Sequence, residues 1–304
     1  MATTAPEIII GLGELLWDCF GEERRPGGAP ANVAYHAQLL GAQGVVCSRV
    51  GVDAWGVELL AFLTAHGLDT THVQRDDQHL TGRVTVHLDG HHGPSYTIHE
   101  GVAWDHLAWT PAWESLAATA SALCFGTLAQ RSPESRTTIQ RFLAAAPQAL
   151  RVYDINLRPP HYARAWIEAS LQQATVFKLN DDEWTTLNEL LEVRASDALG
   201  FARALLDRFH LTHVFITRGG EGCLAVSGDS AVEAAGVTVA VADTVGAGDA
   251  FSAAMIVGLL AHWPLGEIAH FANRVGALVA SYPGAMPQVA EAIAAIRADF
   301  EGKA

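Results

Sequence analysis

The chain has 304 residues, half of them hydrophobic, and a formal net charge of −14 from 19 basic and 33 acidic side chains. A chain of this size can bury a large core, as one α/β domain or two smaller ones. The acidic excess argues against nucleic acid or an anionic membrane as a partner.

Cys19, Cys47, Cys124 and Cys223 are far apart with no Cys-x-x-Cys pair, the pattern of reduced, mostly buried thiols. No charged-then-apolar leader is visible, so a cytoplasmic protein is expected. The first predicted strand spans 7–12. Beyond it Gly11-Leu12-Gly13-Glu14 starts like a dinucleotide fingerprint but lacks the third glycine and the helix. At Gly27-Gly28-Ala29-Pro30-Ala31-Asn32 a glycine pair leads into a helix near 30–40, with Pro30 suited to its first turn. Asn32 falls in that turn, where packing rarely asks for Asn. Its amide either satisfies local backbone or serves a ligand with several hydroxyls. A strand at 44–50 and a helix at 55–66 follow.

The pattern breaks at 81–99. Arg83 to Leu88 alternates, Asp89-Gly90-His91-His92-Gly93-Pro94 turns, and Ser95 to Ile98 alternates again, which predicts a hairpin. With residues 17–25 it is expected to form a small sheet beside the main body. His87, His91, His92 and His99 cluster on it, without the Cys or carboxylate partners of a tetrahedral metal site.

Strands at 122–125, 151–155, 175–178 and 214–217 then alternate with helices near 132–146, 161–173, 181–190 and 197–209. This predicts βαβ units around a mainly parallel sheet, with ligands collecting at the carboxyl ends of the strands. Asn156 falls at such an exit. Arg158 either steadies a phosphate or sugar or is a plain surface residue. Asn180 and Glu183 stand one helical turn apart. They read either as a capping box or as an amide orienting phosphate with a carboxylate holding the water shell of Mg²⁺.

Residues 236–243, with Val-Thr-Val-Ala-Val-Ala, are expected to be a last strand feeding Asp243-Thr244-Val245-Gly246-Ala247-Gly248-Asp249. The small apolar run 250–261 reads as a buried helix, too short to span a membrane. Free N–H groups of Gly246, Ala247 and Gly248 at its start form an anion site. Such donors are worth about 3–4 kcal/mol each against developing charge. Asp249 in the same turn would repel an anion, unless it is a base beside a phosphate. That is the layout for moving a phosphoryl group onto a hydroxyl. A carboxylate with an ordinary pKa of about 4 needs no tuning for the task. No Gly-x-x-x-x-Gly-Lys-[Ser/Thr] occurs, which excludes a P-loop kinase.

These two glycine segments do not stand alone. With Gly13-Glu14-Leu15-Leu16-Trp17-Asp18, Asp154-Ile155-Asn156-Leu157-Arg158-Pro159-Pro160, Asn180-Asp181-Asp182-Glu183, Thr217-Arg218-Gly219-Gly220-Glu221-Gly222 and Gly284-Ala285-Met286-Pro287, the chain resembles the PfkB (ribokinase-like) family of carbohydrate kinases. The similarity runs over about residues 8–287, and the bacterial fructokinase branch is the nearest.

The resemblance implies an α/β ribokinase-like fold: a mainly parallel central sheet with helices on both faces and a small β-sheet lid. It implies one kinase domain over 1–304. Its lid, from about 15–26 and 81–100, would close over the sugar and pair with a second subunit's lid in a homodimer. ATP and Mg²⁺ are the implied cofactors, with K⁺ as a further ion. Asp18, Gly27, Gly28, Asn32, Asn156 and Arg158 would bind sugar, and Asn180, Thr217, Gly219, Gly222 and Asn273 the nucleotide. Glu183 would hold Mg²⁺ through water, and Asp243 with the 280–284 loop a monovalent cation. Asp249 would be the base, aided by Gly246, Ala247 and Gly248. The expected reaction moves the γ-phosphate of ATP to D-fructose. The alternatives are another sugar or sugar acid, such as ribose or 2-keto-3-deoxygluconate, and a catalytically silent sugar- or nucleotide-binding protein. Asp249 with Gly246 and Gly248 speaks against the last.

Overall fold

Three consecutive isoleucines leave strand β1 (Ile8–Leu12) no polar face for water, so it is stable only where both faces are covered. The computed structural model, which describes residues 5–89 and 93–301, places it inside a sheet. The chain continues through β2 (Leu16–Phe20) and β3 (Glu23–Gly27) into α1 (Ala29–Leu39). Next come β4 (Gln43–Gly51), α2 (Ala54–Ala65) and β5 (Val73–Asp76). A hairpin of β6 (Gly82–Asp89) and β7 (Gly93–Ile98) precedes α3 (Pro111–Thr119). Alternation then sets in: β8 (Ala122–Phe125), α4 (Pro133–Ala145), β9 (Leu150–Asp154), α5 (Arg164–Gln173) and β10 (Val176–Asn180). Helices α6 (Asp181–Leu190) and α7 (Ala198–Phe209) lead to β11 (His213–Thr217). The hairpin β12 (Gly222–Ser227) and β13 (Ser230–Ala235) is followed by α8 (Ala247–Leu260), α9 (Leu265–Ala280) and α10 (Ala290–Glu301).

The large sheet runs β13-β12-β11-β10-β9-β8-β1-β4-β5 and is parallel except where β12 meets β11 and β13. Strand order climbs away from β1 in both directions, so the winding reverses between β1 and β8. Open α/β sheets bind ligands at the carboxyl ends beside such a reversal. Successive residues feed opposite cores. Ile10, Leu12, Leu123 and Phe125 join Trp104 and Phe142 on one face, while Ile9, Ala122 and Cys124 join Phe251, Met255 and Phe271 on the other. This is the α/β ribokinase-like fold.

A separate four-stranded sheet, β3-β2-β6-β7, stands where the lid is expected. Leu15 and Trp17 root it in a third apolar cluster with Val46 and Leu59. The Trp17 indole donates to Trp55 O at 3.1 Å, and the Arg24 guanidinium lies 5.2 Å from both indole rings.

One expected strand does not form. Residues 236–242 pair with no neighbour, and Val237 and Val241 are exposed; the last strand among the described residues is β13. The alternation there imitates a strand, but the segment crosses the surface to reach α8, tied at its start where Gly236 donates to Glu221 O and at its end where Ala242 and Asp243 donate to Ala280 O. Residues 90–92 of the expected turn, with His91 and His92, lie outside the described residues. His87 and His99 bond Thr97 and Thr85, and among the described residues no three metal-ligating side chains converge. No described helix is long and apolar enough to cross a membrane. All four cysteines are free and three are buried.

Candidate active site

At the strand-order reversal, the ends of β1, β8, β9, β10 and β11 open into a cleft of about 830 Å³. Val84, Val86, Tyr96 and Ile98 of the small sheet form its opposite wall. The Gly13 N–H donates to Cys47 O at 3.1 Å and its carbonyl accepts from the Ser48 hydroxyl at 2.6 Å. Those bonds fix Glu14 on the cleft floor, where it is 4% exposed and its Oε2 has no partner. Burial, with repulsion from Asp249, pushes its pKa up to about 7. Asp18 reaches the cleft from β2, and burial raises it to about 6. Gly27 is not part of the lining, but any side chain there would collide with the Asp18 carboxylate.

Gly28, at φ 115, lets the chain turn into α1 so closely that an added Cβ would lie 2.5 Å from Glu14 O. The turn delivers Asn32, which donates from Nδ2 to Asp249 Oδ2 at 2.7 Å and leaves its buried Oδ1 without a partner.

Gly246, left-handed at φ 80, starts α8, and no side chain caps the helix. Helix amides are therefore left to face the cleft, which Gly246 and Gly248 line. Ala247 departs from expectation. Its N–H turns back to Thr244 O at 3.3 Å, and the residue does not line the cleft. Asp249 is half-buried in the first turn. Burial and the charge of Asp154 push its pKa up to about 6. The ordinary carboxylate expected here is thus corrected to one tuned toward neutrality, where a general base works best.

Two groups not singled out from the sequence lie beside it. Lys178 Nζ is 3.1 Å from both oxygens of Asp154, and the Ser252 hydroxyl donates to Asp154 Oδ2 at 2.8 Å. Both members of the pair line the cleft. A lysine within the apolar run Val176–Leu179 is the signal that could have found them.

Asn156, at φ 42, and the exposed Arg158 follow β9 and line the cleft. Their loop is held by the Leu157 N–H, which donates to Glu183 Oε1 at 2.7 Å. Glu183 Oε2 accepts from Asn180 N at 2.8 Å, while Asn180 Oδ1 accepts from Glu183 N at 3.0 Å. The capping box is therefore real. Glu183 is buried and off the cleft surface, so its first duty is to the backbone; each oxygen keeps a lone pair for a metal-bound water. Asn180 itself lines the cleft.

Of the expected nucleotide residues, Thr217 lines the cleft, and Gly219 lies on the open ledge beyond β11. Gly222 and Asn273 turn elsewhere. Gly222 packs against Ala234, and Asn273 ties α9 to β13 by donating to Ala234 O and Ala235 O at 3.1 and 3.2 Å. Asp243 Oδ1 accepts from Val245 N at 3.0 Å, and Oδ2 from Gly284 N at 3.1 Å and Arg25 at 3.2 Å. Oδ2 is thus filled, whereas Oδ1 keeps a lone pair beside the 280–284 loop. No dedicated metal cage exists among the described residues. Mg²⁺ brought in on phosphates and keeping several waters fits this arrangement.

The cleft thus offers carboxyls and amides suited to hydroxyls at one end, helix amides suited to an anion at the other, and Asp249 between them. The family model described as pfkB family carbohydrate kinase matches residues 5–292. A putative sugar kinase of Pyrococcus horikoshii is 29% identical over 91% of both chains. An Escherichia coli fructokinase is 29% identical over 86% of this chain and 87% of its own. The crystal structure of the Pyrococcus protein in complex with ATP superposes with a TM-score of 0.79, at 28% identity over 92% of this chain and 94% of that one. A Vibrio cholerae fructokinase with bound fructose, ADP and potassium ion shares the fold at a TM-score of 0.82, with 23% identity over 98% and 99%.

Proposed function

The chain belongs to the pfkB family of carbohydrate kinases, and from that premise we propose that this ATP-dependent sugar kinase phosphorylates D-fructose with Asp249 as its general base. The bond from Asn32 to Asp249 at the start of α8 carries the reading. It leaves Asp249 Oδ1 to take the proton of the sugar's terminal hydroxyl. The oxygen so freed attacks the γ-phosphorus in line and ADP departs. The amides at Gly246 and Gly248 meet the charge that develops on the transferring group.

Glu14, Asp18 and Asn32 Oδ1 accept from the remaining hydroxyls, with Asn156 and Arg158 beside them. A sugar acid would set its carboxylate against Glu14 and Asp18, so a neutral ketose is favoured over 2-keto-3-deoxygluconate. The fructokinases among the relatives support the same choice. Mg²⁺ bound on the phosphates supplies charge neutralisation there, and Glu183 reaches it through water. The free lone pair of Asp243 Oδ1 leaves room for a monovalent cation such as K⁺ beside the 280–284 loop.

ATP turnover over D-fructose, D-ribose, D-glucose and 2-keto-3-deoxygluconate tests the proposal. The largest kcat/KM is expected for D-fructose. A larger value for any other sugar would remove fructose and leave the kinase.

A further inference from the structure

Of the chain's 19 Lys and Arg residues, only Lys178 and Lys303 are lysines. A sequence that meets nearly every other need for positive charge with Arg keeps an ammonium at this one strand position. Lys178 lies in β10 between Phe177 and Leu179, is 7% exposed, and lines the cleft. Its Nζ is 3.2 Å from the point a Cβ on Gly248 would occupy, against the first turn of α8. A compact ammonium fits there, whereas the broader guanidinium of Arg would press on the turn.

We propose that Lys178 is a catalytic residue whose ammonium meets the transferring phosphoryl group beside the glycine turn, and that Asp154, fixed by Ser252, is the positioning residue that aims it. The inference rests on the α8 N-terminus as the phosphate site, and adds a cation to it.

Three observations carry it. First, the ammonium has three N–H groups, and its bonded partners are the two oxygens of Asp154, which leaves a hydrogen for the cleft. Second, Glu14, Asp154 and Asp249 all line the cleft, while a helix N-terminus supplies only about half a positive charge. Three carboxylates facing a phosphate that carries Mg²⁺ still favour a fixed protein cation beside the helix, and of those lining the cleft Lys178 is the buried one. Third, replacing a buried ion pair with uncharged groups is often neutral or stabilising. Stability alone therefore gives weak reason to keep this pair under the glycine turn.

The test compares Lys178→Met, Asp154→Asn and the double variant, using whichever sugar the wild type turns over. A failure of the fructose reading then shows in the wild type, and a failure of this inference only in the variants. For Lys178→Met, kcat is expected to fall by about 100-fold or more, with sugar KM and the Kd for ADP within about threefold of wild type. Calorimetry with ADP, aluminium fluoride and sugar, which mimics the transferring group, should show a matching loss of affinity. The double variant removes both buried charges, so it is expected to melt cooperatively and bind sugar while remaining as inactive as Lys178→Met. If Lys178 merely neutralises Asp154, the double variant regains kcat to within about threefold of wild type; that result overturns the proposal. So does a double variant that no longer melts cooperatively, which would make the pair a requirement of the fold.

Discussion

Burial and Asp154 raise the carboxyl of Asp249, against Asn32, Lys178 and Arg158, which favour its charged form. Because its pKa is about 6, the base is protonated and idle at lower pH. The kcat/KM profile is therefore expected to fall at least about tenfold per pH unit below that value, with Asp18 and Glu14, raised to about 6 and about 7, steepening the limb through sugar binding. A limb near 4 would show an ordinary carboxylate and sink the tuning argument. Asp249→Ala should lower kcat by about 10²–10⁴ with sugar and ATP binding little changed; more than about a tenth of wild-type kcat would remove the base assignment. Glu183 carries a different expectation, because it holds Leu157 and caps α6 at once. Glu183→Gln should raise the Mg²⁺ concentration for half-maximal rate, leave sugar KM unchanged, and lower unfolding stability by about 1 kcal/mol. Lost stability with unaltered metal dependence would leave it as a cap alone.

At the level of elements, the small sheet is the part whose duty is most open to test. Val84 and Val86 are each 6% exposed and face the cleft. Losing one buried Val side chain's worth of apolar cover costs about 1.5–3 kcal/mol. Replacing both by Asp is thus expected to raise sugar KM about tenfold or more, and an unchanged KM would count against a lid. The elements also show what the sequence could reveal. Strands β1 and β8 were legible because short continuous apolar runs suit a sheet interior covered on both faces. The segment 236–242 misled because alternation reports a face and says nothing of a neighbour. The edge strand that does form there, β13, has a single β-branched residue, Val232, among Ser, Ala and Glu and announces itself weakly. In the site, Asp249 and Asn32 were legible since glycine turns beside them mark their use locally. Lys178 and Glu14 were not, because their burial is set by other segments of the chain, the first turn of α8 against Lys178 and the turn at Gly28 against Glu14.

The whole molecule raises the question of assembly. Strands β3 and β7 end the small sheet without a neighbour among the described residues, and such edges invite pairing. A homodimer through these edges is expected, with twice the chain mass in dilute solution. A wild-type monomer would remove it.

The middle place of β1 has a consequence during synthesis. It leaves the ribosome before the other described strands, yet its partners come late: Ile8 pairs with Gln43, and Ile9 with Ala122 on the opposite side. At roughly 5–20 residues per second, three isoleucines wait several seconds with an open edge. The β4 side can pair first, which leaves the other edge of β1 open until β8 has been made. Stalled nascent chains that end before β8 should stay protease-sensitive and bind chaperones, and protection should arrive only once β8 has cleared the exit tunnel.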